Sequence, residues 1–216
     1  MTRAAVVARI REIGLVPVVR AQSADEALAL SRAIADGGVS VLEITLTVPG
    51  AIEVIRRVVV EGGGAMLVGA GTVLTAEDAA AAVDAGATFI VSPGFDPATV
   101  AWCKAHDVAV LPGALTPTEV IQAWRAGADF VKVFPCGAVG GASYLKALKA
   151  PLPQIDLVPT GGVTLASAEE LIRAGASALG VGQDLCDVAA LRRGDAAKVT
   201  ATARSYREAI DRARVR

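Results

Sequence analysis

Eight short apolar runs, each ending near a Gly, Pro or Thr turn and each followed by an amphipathic stretch, narrow the folds open to this chain more than any other feature. They are VPVVR (16–20), VLEIT (41–45), MLVGA (66–70), FIVSP (89–93), VAVLP (108–112), FVKVF (130–134), LVP (157–159) and ALGVG (178–182). Stretches such as SADEALALSRAIADGG, TAEDAAAAVDAGA and TLASAEELIRAGA lie between them, opening on Ser or Thr and closing near Gly as helices do. Strands alternating with helices imply parallel βαβ units, and eight such units imply an α/β fold of the closed (β/α)8 barrel type. The competing architecture is an open doubly wound sheet. The count of eight, the lack of a G-x-G-x-x-G turn after the first run and the lack of a linker favour the barrel, as one domain over residues 1–216. The recurring AGA and DGG endings read as helix C-caps of successive units rather than as a solenoid. At the start, MTRAAVVARIREIG mixes Arg and Glu with apolar residues. That mixture suits an amphipathic cap helix and not a signal peptide or a membrane span.

Composition closes off other functions. More than half of the 216 residues are apolar, the formal charge is −1, and no basic block stands out. The electrostatic footprint of a nucleic-acid binder is therefore missing. Three widely spaced cysteines (Cys103, Cys136, Cys186) without C-x-x-C spacing point to a reducing cytoplasm rather than a disulfide framework. A single histidine, His106, excludes His-dyad chemistry and speaks against a His-built metal site.

Within this pattern one residue is out of place. Lys132 interrupts FVKVF, whose composition is that of a strand buried on both faces. A lysine is almost never fully buried without a partner. In a barrel, alternate side chains point to the packed interior and catalytic groups come from the C-terminal ends of strands. Lys132 then faces inward with Phe130 and Phe134. The second run carries the complementary oddity, Glu43, on a face shared with Thr45 and Thr47. Strands two and six lie opposite one another, so carboxylate and amine are expected to meet across the axis. A buried ion pair that only closes the barrel is one reading, although desolvation often cancels what such a pair gains. The other is catalytic: a dry interior disfavours an ammonium, and the neutral amine attacks a carbonyl to form a Schiff base.

Other motifs fall on the loops a barrel uses for ligands. GAGTVL (69–74) combines glycines that admit close backbone approach with the hydroxyl of Thr72. PTGGVT (159–164) and GVGQDL (180–185) follow the last two runs, where many barrels hold phosphate through backbone N–H groups and a helix N-terminus. Glycines there equally serve turn geometry.

The ordered set VLEITLTVPG, GAGTVLT, SPG, PGALTPTE, KVFP, PTGGV and GVGQDL resembles the family of 2-keto-3-deoxy-6-phosphogluconate aldolases, from about Leu15 to Leu185. The resemblance implies a (β/α)8 barrel assembled as a homotrimer, with no cofactor and no metal. It implies reversible cleavage of the phosphorylated keto acid to pyruvate and glyceraldehyde 3-phosphate. Carried over by motif, Lys132 is the Schiff-base lysine and Glu43 the general acid/base. Thr72 holds the pyruvyl carboxylate, Pro93 and Phe134 line the pocket, and Gly161 and Gly162 contribute to the phosphate site. Some members have an arginine where this chain has Thr47; Arg20, at the end of the first strand, is the substitute cation. Gln183 stands where serine is common, and its amide still donates. Aldolases for the galactonate-derived epimer or for 4-hydroxy-2-oxoglutarate share the pyruvyl half and remain alternatives. So does a non-catalytic barrel that binds a phosphorylated metabolite. The partners expected are small molecules, pyruvate and the phosphorylated keto acid, with no nucleic acid and no membrane.

Overall fold

The computed structural model describes residues 1–215. Nine strands run in chain order: β1 (Leu15–Val19), β2 (Val41–Thr45), β3 (Leu67–Gly71), β4 (Phe89–Val91), β5 (Ala109–Leu111), β6 (Gly113–Ala114), β7 (Val131–Val133), β8 (Leu157–Pro159) and β9 (Leu179–Val181). Every strand residue is buried, as expected of parallel strands covered on both faces. The helices are α1 (Arg3–Ile13), α2 (Ala24–Asp36), α3 (Ala51–Glu61), α4 (Ala76–Asp84), α5 (Pro97–Ala105), α6 (Pro117–Arg125), α7 (Ala142–Lys149), α8 (Leu165–Arg173), α9 (Val188–Arg192) and α10 (Ala196–Arg214).

Local chemistry sets these boundaries. Ser23, Thr75, Asp96 and Thr116 each accept a first-turn N–H at the start of α2, α4, α5 and α6, which satisfies donors that have no partner inside the helix. Thr116 and Glu119 complete a reciprocal box. Pro97 and Pro117 occupy first helical positions, where a missing N–H costs nothing.

All pairings are parallel, in two curled sheets ordered β5-β4-β3-β2-β1-β9 and β6-β7-β8. Nine strands replace the eight expected because pairing resumes just beyond the run VAVLP, which ends at Pro112, as the two-residue strand β6. A proline has no N–H to continue a ladder; its carbonyl instead accepts the Lys132 N–H at 2.9 Å. The chain therefore passes from one sheet into the other at Pro112. On the far side the sheets touch through the isolated bridges Thr160↔Gly180 and Leu157↔Ala176. Gly180 permits that approach, since a Cβ there would lie 2.1 Å from Thr160 Oγ1.

The cap helix lies where the sequence places it. α1 ends at Gly14 in a left-handed conformation and packs on β1, β2 and β5. Its arginines reach the segments that lead into strands: Arg9 to Ser40 Oγ at 2.8 Å, Arg11 to Asp156 at 2.6 Å, and Arg3 to Asp129 at 3.8 Å. The N-terminal ends of the strands are thus covered. α10 packs along α2 and α8, with Tyr206 completely buried. No helix is long and apolar enough to cross a membrane among the described residues.

Candidate active site

The two polar oddities of the sequence meet in space. Glu43 and Lys132 are 2% and 6% exposed, and Lys132 Nζ lies 4.0 Å from Glu43 Oε1. That separation is an ion-pair contact but too long for a hydrogen bond. Glu43 Oε1 is the one buried side-chain N or O atom without a hydrogen-bond partner among the described residues. A buried unpaired acceptor is costly, and such an atom calls for an explanation of its own.

β3 supplies the space for this carboxylate. A Cβ on Gly71 would stand 2.1 Å from Glu43 Oε1, so the carboxylate rests against a bare backbone. Gly71 belongs to the GAGTVL stretch, and its glycine content was the visible signal; its role as the seat of Glu43 was not. Burial pushes the Glu43 carboxyl above the ordinary carboxylate range, against the opposing charges of Lys132 and then Arg20. Arg20 follows β1, is exposed, and makes no hydrogen bond or ion pair among the described residues. Cys186, which sequence reasoning passed over, lies buried near Glu43; burial first and the Glu43 charge second push its thiol up to about 12. A thiol in such surroundings is inert.

Around this pair the strand ends carry the remaining expected residues. Thr45 donates to the Val19 carbonyl at 3.1 Å and shares a 2.8 Å hydrogen bond with the exposed Thr47. Thr72 is half-buried with φ 58°, a strained left-handed conformation for a β-branched residue. Pro93 is half-buried after β4. The Phe134 ring lies 5.3 Å from Lys132 Nζ and is one-third exposed. Gly161 approaches the same ring, with the position of a Cβ only 3.1 Å from it. Gly161 and Gly162 have φ of 81° and 76°, which glycine alone takes without strain. Cys136 and Gly137 donate to the Thr160 and Gly161 carbonyls at 2.9 and 2.8 Å, joining the loops after β7 and β8. Gln183 is exposed after β9. The structure therefore brings Lys132, Glu43, Phe134 and Gly161 together by contact and Arg20 by charge. Thr72, Pro93 and Gln183 sit on C-terminal strand ends without a hydrogen bond to Lys132 or Glu43. No group of three or more His, Cys, Asp or Glu residues is placed to hold a metal ion among the described residues.

Comparison with known proteins yields a consistent picture. A family model described as KDPG and KHG aldolase matches residues 6–202. A 2-dehydro-3-deoxy-phosphogluconate aldolase of Treponema pallidum is 39% identical over 163 residues, covering 76% of this chain and 77% of that protein. A 2-dehydro-3-deoxy-6-phosphogalactonate aldolase of Escherichia coli is 36% identical over 200 residues, covering 92% of this chain and 97% of that protein. Among solved structures, a KDPG aldolase from Legionella pneumophila, with pyruvate captured as a covalent carbinolamine, superposes with a TM-score of 0.85. It shares 28% identity and covers 93% of this chain and 97% of that one.

Proposed function

The chain belongs to the KDPG and KHG aldolase family and is an aldolase of the lyase class; from that premise we propose that it cleaves 2-dehydro-3-deoxy-6-phosphogluconate to pyruvate and glyceraldehyde 3-phosphate through a Schiff base on Lys132. The observation that carries this reading is the buried amine 4.0 Å from a carboxylate oxygen that has no other partner. The gap is too wide for a direct hydrogen bond, and it suits the oxygen of an adduct held between the two groups.

In this mechanism the Lys132 amine adds to the C2 ketone, forming the N–C2 bond and a carbinolamine. Glu43, held toward its protonated form by burial, donates to the C2 hydroxyl, which departs as water and leaves an iminium. The electrons of the C3–C4 bond move into the iminium as the C4 hydroxyl proton is withdrawn by a base. The aldehyde leaves and an enamine remains. Protonation at C3 gives the pyruvyl imine, and water releases pyruvate and the free amine. Such proton transfers contribute about 10² to 10⁴ in rate.

The site residues take roles that follow from their places. Arg20 supplies the free cation for the pyruvyl carboxylate, with the Thr72 and Thr47 hydroxyls alongside. Phe134 and Pro93 form the apolar wall. The left-handed turn at Gly161 and Gly162, with Gln183 opposite, takes the phosphate. The same proposal includes closure of the two sheets into a (β/α)8 barrel, supported by the continuous chain through Pro112 and the bridge at Thr160↔Gly180. A homotrimer follows from the family resemblance, and a reducing cytoplasm suits three free, buried cysteines. A second reading, the galactonate-derived C4 epimer as substrate, rests on a phosphogalactonate aldolase that matches this chain about as well as the phosphogluconate aldolases do; kcat/KM for the two epimers decides between them.

Pyruvate with borohydride, followed by peptide mass mapping, tests the chemistry. Label is expected on Lys132 and not on Lys104, Lys146, Lys149 or Lys198, and cleavage is expected to continue in EDTA. Label on another lysine, or none, removes the Schiff-base assignment.

A further inference from the structure

One carboxylate near the site does work that none of the proposed catalytic steps uses. Tyr206, in the middle of α10, is completely buried, and a buried phenol requires an acceptor. Its hydroxyl donates to Asp184 Oδ2 at 2.5 Å. The same oxygen accepts the Leu165 N–H at 3.1 Å. Leu165 is the first residue of α8, so this N–H has no partner inside the helix. A single oxygen thus joins three segments distant in sequence: the loop after β9, the start of α8 and the core-facing side of α10.

Two of those segments are the loops assigned to the distal end of the substrate. Asp184 follows Gln183 in a single helical turn closed by Leu185 N–H and Cys186 N–H on the Gly182 carbonyl, at 3.1 and 2.8 Å. Leu165 follows Gly161 and Gly162 through a short connection. The N–H groups of Gly162, Gln183 and Asp184 donate to no acceptor among the described residues. Backbone donors bind an anion well only at fixed separation and direction, because hydrogen bonds weaken steeply outside a narrow geometry.

We propose that Asp184 is the positioning residue of the phosphate end of the site, that it holds the Gly161–Gly162 turn and the Gln183 turn in register, and that Tyr206 fixes it from the core. This rests on the phosphate reading given above. The part Asp184 plays is that of a hydrogen-bond acceptor. Its charge works against a nearby dianion, so a neutral acceptor in its place serves at least as well.

The experiment measures kcat and KM for the phosphorylated keto acid and for its unphosphorylated analogue, with borohydride trapping of pyruvate alongside. Tyr206→Phe, which removes one buried hydrogen bond, is expected to raise KM for the phosphorylated substrate about tenfold, and Asp184→Ala, which removes two, at least as much. They should leave kcat, pyruvate trapping and KM for the analogue close to wild type. Asp184→Asn, which keeps an oxygen for both donors, should restore the wild-type KM. An equal rise for both substrates, no rise, or no rescue by Asn overturns the proposal. If Asp184→Ala does not fold, Tyr206→Phe alone decides, since it removes only the hydroxyl. A wild-type enzyme that cleaves both compounds equally well overturns the phosphate reading and this inference with it. Phosphate preference with an unaltered Tyr206→Phe variant overturns this inference alone.

Discussion

The two ends of the strands obey opposite rules. At the N-terminal ends, Arg3, Arg9 and Arg11 of α1 reach Asp129, Ser40 and Asp156, and Arg11 also stacks on Phe130 at 5.5 Å. At the C-terminal ends, Glu43 Oε1 is buried without a hydrogen bond, Arg20 has no partner among the described residues, and Thr72 is strained. Satisfied polar groups hold a structure together. Unsatisfied ones raise its free energy, and the folded chain tolerates them where they meet a ligand. On the proposed function, the difference separates a stabilising end from a reacting end.

Three substitutions test that division. The largest effect is expected from Glu43→Gln, which keeps the size and removes the titrating group. We expect kcat to fall by about 10² to 10⁴ while the fold remains. The same variant carries a pH signature. Burial raises the Glu43 carboxyl in the folded protein above its ordinary value of 4.5. The folded state therefore holds this proton more tightly than the unfolded one. Its contribution to stability is complete below the ordinary value and is lost as pH rises through the raised one. The thermal midpoint of Glu43→Gln relative to wild type should accordingly climb as pH rises above the ordinary carboxylate value. A difference independent of pH contradicts the raised carboxyl. Near-native kcat removes Glu43 from the mechanism, and a variant inactive only because it unfolds returns the pair to a purely structural role.

Gly71→Ala comes next. The backbone there is open to any residue, so the only obstacle is a Cβ 2.1 Å from Glu43 Oε1. The carboxylate must move, and a shift of about 1 Å in a reacting group costs about 10²-fold in rate. Unchanged kcat would show that Glu43 acts from another position. The smallest effect belongs to the covered end. Arg11→Ala breaks a pair whose side chains are 51% and 29% exposed and should cost at most about 1 kcal/mol. Chemical denaturation reads that loss, and kcat should not change; a lower kcat would show that the two ends are coupled.

Much of this was legible in advance because it rests on local rules. Capping residues, glycine stops and apolar runs act within a few positions of one another, and the α1 cap helix and eight of the strands follow them. Lys132 and Glu43 were legible for a related reason: a charged residue inside an apolar run violates the pattern by itself. The resumption of pairing after the fifth run, past Pro112, was harder to read, because a proline after a strand marks its end as readily as a change of sheet.

What the sequence determined alone is the alternation of strand and helix, and with it a parallel sheet carrying an amine and a carboxylate in its interior. Tertiary structure decided what stands beside what. Gly71 became the seat of a carboxylate from β2, and Tyr206 became the anchor of a loop 22 residues away. Neither breaks a local pattern, since glycine in a strand and tyrosine in a helix are ordinary. Their roles exist only once long-range packing has set the distances, and those distances are fixed by the whole core rather than by the residues on either side.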